Sequence, residues 1–288
     1  MSLKPRIGSS LDWLERLPPR RIFWVLLGVA LLVRLVMLLG YQVAVYSDTH
    51  SYRRLAGVLL KWMAGGSGGY DGTRVPGYAF FLALAGPDQA AWLAQMGMGM
   101  LITLLFFYLG WKLSGKAWFG GLAALLHTLN LGQLFFESSL LTETLSTLWI
   151  MLALAGMVWG ADLARGKKRP GWFVLLAAGI GLAAAAAVLT RPLFVYLPFW
   201  LALCLFWTWQ PQPLGKLART AGWQGLGRAL QRVFWPLAAL TLAVALPVLG
   251  WVRYIHNTYG FLSLTVMTGY HLVQHTGVFF EYVPDEEA

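Results

Sequence analysis

Cysteine and charge are the two things this chain is short of. A single cysteine, Cys204, among 288 residues excludes an intramolecular disulfide and any site built from several thiolates. It sits in the apolar run LFVYLPFWLALCLFWTW, so it gives no reading of the redox compartment. Charged residues form only 12% of the chain against 58% hydrophobic, and mean hydropathy is +0.61. That leaves too few polar side chains to cover a soluble domain. The glycine-rich stretch GGSGGYDG at residues 65–72 lacks the Gly-Lys-Ser/Thr ending of a phosphate-binding loop, so it supplies flexibility rather than a nucleotide cradle. No Gly-x-Ser-x-Gly elbow and no Cys/His pair supports acyl transfer, and no internal repeat of the solenoid or inverted-transporter kind is visible.

What is present is a series of long apolar runs. Seven segments, near residues 22–46, 89–111, 117–136, 140–161, 171–190, 192–209 and 234–252, are long enough to cross a hydrocarbon core of ~30 Å as helices. The expected fold is therefore all-α: a polytopic membrane protein of about seven transmembrane helices, with interfacial helices in the first outer loop. The first run lacks a small-x-small cleavage pattern and is expected to remain as an anchor. Residues 75–86 are apolar but too short to span, which predicts an interfacial or re-entrant segment. The organisation that follows is a cytoplasmic segment at 1–21, a bundle at 22–253 that includes an outer loop at 47–88, and an outer segment at 254–288.

The net charge of +10 could suggest nucleic acid, but the cations fall in short clusters between apolar runs, so the excess is read as topology and no nucleic-acid partner is expected. Of the 22 Lys and Arg, fifteen collect on one side, including Arg20, Arg21, Lys112, Lys116 and Lys167. Six fall on the other, Arg53, Arg54, Lys61, Arg74, Arg191 and Arg253, with Arg34 inside the first span. The positive-inside bias places the amino terminus in the cytoplasm and residues 47–81 outside. Asp48, Asp71, Asp88, Glu137 and Glu143 share that outer side. A bacterial inner membrane, with the polar loop facing the periplasm or exterior, is the expected location. Residues 211–232 interleave leucines with Lys216, Arg219, Arg228 and Arg232, the pattern of an amphipathic helix lying on anionic lipid.

Asp48 follows the first span, and the YRRLAGVLLKWM pattern after it predicts a short helix with Ser47 or Asp48 as its N-cap. Capping and proton acceptance both remain open for this carboxylate. Arg74, before a Pro-Gly turn, is a fixed fork of donors at headgroup depth, suited to a lipid phosphate or to ordinary snorkelling. Arg191, in VLTRPLF, lies in a connection too tight for a generous aqueous loop, which favours a phosphate or carboxylate contact over simple snorkelling to the interface. Glu143 has the position of a favourable charge at a helix N-terminus, and Glu137 is costly at a membrane edge unless an arginine pairs with it. Arg253, His256 and Asn257 follow the last span. His271 and His275, spaced i, i+4, have no acidic partner at zincin spacing.

In order along the chain, Asp48 with Tyr52, then Arg74 before Pro76, Gly77 and Tyr78, then Glu143, Leu189 to Pro192, and Trp251, Arg253, Asn257, Gly260 and Gly269 resemble the GT-C glycosyltransferases. The protein O-mannosyltransferase and aminoarabinose-transferase-like members are the nearest in pattern. The resemblance implies transfer of a sugar from a polyprenyl-phosphate carrier to an acceptor glycan, lipid or protein at the outer membrane face. Asp48 would be the base or acceptor-orienting acid. Arg74, Arg191 and Arg253 would meet the donor phosphate, and Tyr52, Tyr78, Glu143, His256 and Asn257 would line the substrate site. Many members carry a second acid where this chain has Thr49, and some a metal-binding Glu where it has Thr73. No cofactor is therefore certain and a divalent metal stays open. Members also continue beyond a seventh span, so the expectation is a catalytic half without its carboxy-terminal part. The alternative from the residues is a non-enzymatic flippase or transporter component for a lipid-linked saccharide.

Overall fold

The computed structural model describes residues 15–66, 69–165, 170–210 and 214–267. Every regular element among them is helical: α1 (Pro19–Gly40), α2 (Ser47–Met63), α3 (Pro76–Ala85), α4 (Asp88–Ser114), α5 (Ala117–Thr128), α6 (Leu131–Ser138), α7 (Glu143–Arg165), α8 (Pro170–Thr190), a 3-10 turn (Pro192–Tyr196), α9 (Leu197–Thr208) and α10 (Leu214–Tyr259). Prolines stand at the head of α1 and α3, where the missing N–H costs nothing and φ is already helical. The C-terminus of α4 is closed by Gly115 at φ 72°, a left-handed cap that only glycine adopts without strain.

Among the described residues, five helices are long and apolar enough to cross a membrane: α1, α4, α7, α8 and the part of α10 from Leu230 to Tyr259. The third expected span is broken. It forms α5 and α6, which meet at a 55° bend and would make a sixth crossing if taken as one. Asn130 starts the second arm by accepting the Gln133 backbone N–H at 3.1 Å, a cap that competes with continuing the first helix. The sixth expected span is the 3-10 turn followed by the 12-residue α9.

Two further expectations change. The first span ends at Gly40 rather than near residue 46, because the chain then runs extended and Ala44 pairs with Ser139 in an isolated parallel bridge. Residues 214–232 do not form a separate helix. They continue into the last span as one 46-residue helix with Pro236 and Pro247 inside it. Residues 254–259, expected in the outer tail, belong to this last helix, and His271, His275, Gly269 and the rest of that tail beyond residue 267 lie outside the described residues.

The largest buried cluster joins α7, α8, α9 and α10 through Ala153, Met157, Ala177, Ala184, Leu205 and Leu240. Alanines dominate the α8 contribution and let neighbouring backbones approach closely, the usual device where lipid gives no hydrophobic drive for helix association. α9 runs alongside α7: Arg191, just before the 3-10 turn, bonds Glu143 at the start of α7, and Trp209 after α9 donates its indole N–H to the Met157 carbonyl at 3.0 Å. The molecule has one end where residues 41–66 and 69–87, the α6–α7 connection, Arg191 and the end of α10 gather. The other end carries the Lys112–Asp162 and Lys116–Glu15 pairs, at 2.8 and 2.5 Å.

Candidate functional site

α2 begins at Ser47 with Tyr46 as the N-cap residue, so neither Ser47 nor Asp48 holds the cap position. Asp48 sits in the first turn, and its carboxylate accepts from Arg74 Nη2 at 2.8 Å. This contact joins two residues 26 apart. It leaves half of the Asp48 side chain and about a third of that of Arg74 exposed. The Arg74 guanidinium also lies 5.5 Å from the centre of the Tyr52 ring, a cation–π distance. Tyr52 in turn packs edge-on against Tyr78, centroids 5.0 Å apart.

Glu143 and Arg191 form a second pair, with Arg191 Nη1 donating to Glu143 Oε1 at 2.8 Å. Both pairs act electrostatically on Tyr52. Burial raises its phenol above the usual value, Arg74 lowers it and Asp48 raises it, and Arg191 and Glu143 add opposing influences. Burial likewise pushes Tyr78 upward, with a further push from Tyr52. Both hydroxyls therefore stay protonated at neutral pH. Tyr78 uses its proton to donate to Gln95 Oε1 at 2.7 Å.

Gly77 explains how α3 reaches this place. A Cβ there would lie 2.5 Å from the Leu189 carbonyl oxygen, so only glycine allows α3 to press against the end of α8. That approach sets Gly77, at the start of α3 and three residues after Arg74, against Leu189 and Thr190, next to Arg191 in sequence. Two more pairs brace the loop. Arg53 bonds both oxygens of Asp88. Arg54 reaches Asp71 at 2.5 Å, while Asp71 also accepts from the Thr73 backbone and hydroxyl at 3.0 and 2.7 Å. Burial works to raise the Asp71 carboxyl, but the Thr73 and Arg54 hydrogen bonds outweigh it and hold the group below its ordinary value.

Next to the loop lies an apolar cavity of about 730 Å³, lined by Trp62, Phe80, Met98, Trp149, Leu189 and Trp251 among others. Its wall shares Tyr70, Pro76 and Gly77 with the segment that carries Arg74. A charged cluster and an oily cavity thus share one edge.

The structure brings Asp48, Tyr52, Arg74, Tyr78, Glu143 and Arg191 together, and leaves Arg253, His256 and Asn257 apart. Those three are exposed on α10, and among the described residues they have no hydrogen bond or ion pair with the cluster. Helical periodicity explains the split. Trp251, Tyr254, Ile255 and Tyr259 form the face of α10 turned to the loop, with the Tyr254 and Tyr259 hydroxyls donating to the Tyr70 carbonyl at 2.6 and 3.2 Å. Arg253, His256 and Asn257 fall between these positions. Among the described residues no group of three or more His, Cys, Asp or Glu is gathered to hold a metal ion. Thr49, where a second acid would stand, is wholly buried and donates to the Leu140 carbonyl at 3.0 Å.

Sequence reasoning missed Gln95, wholly buried on α4, whose signal was a lone amide in the apolar stretch AAWLAQMGMG. It also missed the partner of Arg34. Arg34 Nε and Nη2 donate to the two oxygens of Glu137 at 3.0 and 2.7 Å, and Nη1 bonds the Thr128 hydroxyl. Comparison with protein-family models, with curated proteins and with solved structures returns no match for this chain.

Proposed function

We propose that this protein is a membrane glycosyltransferase of the GT-C kind, moving a sugar from a polyprenyl-phosphate carrier to an acceptor at the outer membrane face. In this reading the bent α5–α6 pair and the 192–208 segment both cross, giving seven passages, and α2 and α3 lie along the outer interface. The observation that carries the proposal is the placement of the Asp48–Arg74 and Glu143–Arg191 pairs at the edge of the apolar cavity. An amphiphile with an anionic head and an oily tail fits such an edge, its tail among Trp62, Phe80 and Trp149 and its phosphate on guanidinium forks.

The exposed ion pairs suit this chemistry because they are weak. Partly solvated pairs are worth no more than about 1 kcal/mol each, so a phosphate can draw Arg74 away from Asp48. That exchange frees the carboxylate at the moment a base is needed. Asp48 then accepts the proton of the acceptor hydroxyl, whose oxygen attacks the anomeric carbon from the face opposite the phosphate. The bond between the anomeric carbon and the phosphate oxygen breaks, its electron pair leaves with the carrier phosphate, and the configuration inverts. The leaving phosphate gains a negative charge, which Arg74 and Arg191 meet in a site of low dielectric. Arg253, His256 and Asn257 lie on another face of α10 and take no part in these steps.

A second reading, a non-enzymatic carrier of a lipid-linked saccharide, draws on the Arg34–Glu137 pair, since ionised groups buried within a bundle often mark transport paths. The deciding experiment reconstitutes the full chain in proteoliposomes with a radiolabelled polyprenyl-phosphate sugar. It measures transfer to acceptor alongside transbilayer movement of the same lipid. Transfer that disappears in Asp48→Asn is the expected result. Movement without transfer selects the carrier.

A further inference from the structure

One short segment, residues 136–140, formed by the end of α6 and the start of its connection to α7, is tied to the elements that carry Asp48 and Tyr78. Gln95 donates its amide to the carbonyl oxygens of Phe136, Glu137 and Ser139 at 3.3, 3.1 and 2.7 Å, and accepts the Tyr78 hydroxyl. The Ala44 N–H donates to the Ser138 carbonyl at 2.9 Å, and the Leu140 N–H donates to the Ala44 carbonyl at 3.1 Å. Thr49 adds its hydroxyl to the Leu140 carbonyl and accepts the Tyr46 N–H at 3.1 Å. Asp48 therefore stands between two anchored points, residues 44–46 before it and Thr49 after it.

The segment itself is fixed from inside the bundle. Its Glu137 carboxylate is clasped by Arg34 across 103 residues of sequence and bonded by Gln133 Nε2 at 3.3 Å. The same guanidinium holds Thr128, so Arg34 grips both arms of the α5–α6 bend. Room for this comes from Gly99, where a Cβ would lie 2.0 Å from Glu137 Oε1. A residue chain thus runs from the buried pair through Glu137 and Gln95 to Tyr78 and Tyr52, and through Leu140 to Thr49 and Asp48.

We infer that Arg34, Gln95 and Glu137 are positioning residues for the Asp48–Arg74 site, acting through the 136–140 segment and touching no substrate themselves. The physical reason is the tolerance of proton transfer. A base must come within about 2.6–3.2 Å of the proton it accepts, and misplacement by about 1 Å costs on the order of 100-fold in rate. An extended six-residue connection followed by the first turn of a helix cannot hold a carboxylate to that tolerance unaided. Its bonds to a buried, fully satisfied segment can.

The kinetic part of this inference rests on the proposed transferase reading, whereas its structural part does not. The full chain in lipid nanodiscs is compared with Gln95→Ala and Glu137→Gln by hydrogen exchange and by transfer kinetics from a polyprenyl-phosphate sugar. The expected result is exchange about tenfold faster in peptides covering 41–50, while peptides from α8 and α10 keep wild-type protection. It is accompanied by a kcat lowered about 100-fold with a donor KM moved less than about threefold. Wild-type exchange at 41–50 in both variants overturns the inference. So does a uniform rise across all helices, or a KM effect without a kcat effect. Should Gln95→Ala fail to fold, Glu137→Gln, equal in size, carries the test. If the wild-type chain transfers no sugar, the transferase reading falls and the exchange data alone decide whether the segment positions Asp48.

Discussion

Asp48 with Arg74 and Glu137 with Arg34 are both arginine–carboxylate contacts, at 2.8 and 2.7 Å, yet the first leaves 50% of the Asp48 side chain exposed and the second 2% of that of Glu137. Solvent at the first keeps its partners exchangeable, because water can replace either one at little cost. At the second, neither charge has an alternative, so the pair holds as long as the bundle does. The same two residue types thus serve as a movable site at the end of the bundle and as a fixed clasp inside it.

The contrast breaks most visibly on activity. Asp48→Asn is expected to lower sugar transfer by about 100- to 10,000-fold, the range for loss of a general base, with insertion and thermal unfolding in detergent unchanged. A variant that keeps transfer removes Asp48 from the chemistry. Arg34→Leu tests the other side. It strands Glu137 in the bundle and should cost about 3–5 kcal/mol in a denaturant titration, whereas Glu143→Gln, at the partly exposed pair with Arg191, should cost no more than about 1 kcal/mol. Equal costs would erase the distinction between clasp and movable pair.

Gly99→Ala sharpens it further, since the added methyl must displace the Glu137 carboxylate and should destabilise by about 1–3 kcal/mol, while Gly97→Ala, with nothing within 4 Å of its Cβ, should be neutral. The smallest effect is on pH. Asp71 has a lowered pKa in the folded chain, so the stability it lends the loop is fully present above its unfolded value near ~3.9. That contribution is lost only as pH falls through the folded value below it. Hydrogen exchange of residues 69–75 should therefore stay slow down to about pH 4 and rise beneath it, and loss of protection near pH 6 would contradict the Thr73 and Arg54 bonds.

Much of the Asp48–Arg74 and Glu143–Arg191 site was legible because its signals are local. Asp48, Arg74, Glu143 and Arg191 each border an apolar run, and charge at such a border is conspicuous in a chain with so few charges. Tyr52 and Tyr78 stood out through the motifs around them. Arg253, His256 and Asn257 carried an equally plain signal, but which face of α10 meets the loop is set by Trp251, Tyr254 and Ile255 packing on Tyr70 and its neighbours. Gln95 and the pairing of Glu137 with Arg34 were hidden for a different reason: the partners are backbone carbonyls and an arginine distant in sequence.

By itself the sequence determined that the chain is helical and apolar enough to enter a membrane, where its long apolar runs lie, and which polar residues border them. Those properties are sums over neighbouring side chains, so a linear reading recovers them. Tertiary structure alone decided that Arg34 closes on Glu137, that α5 and α6 bend apart at Asn130, that residues 214–259 form one helix, and that Asp48 faces Arg74. Each depends on which surfaces meet across tens of residues, where burying a charge or a backbone carbonyl is tolerable only if its partner arrives from another helix.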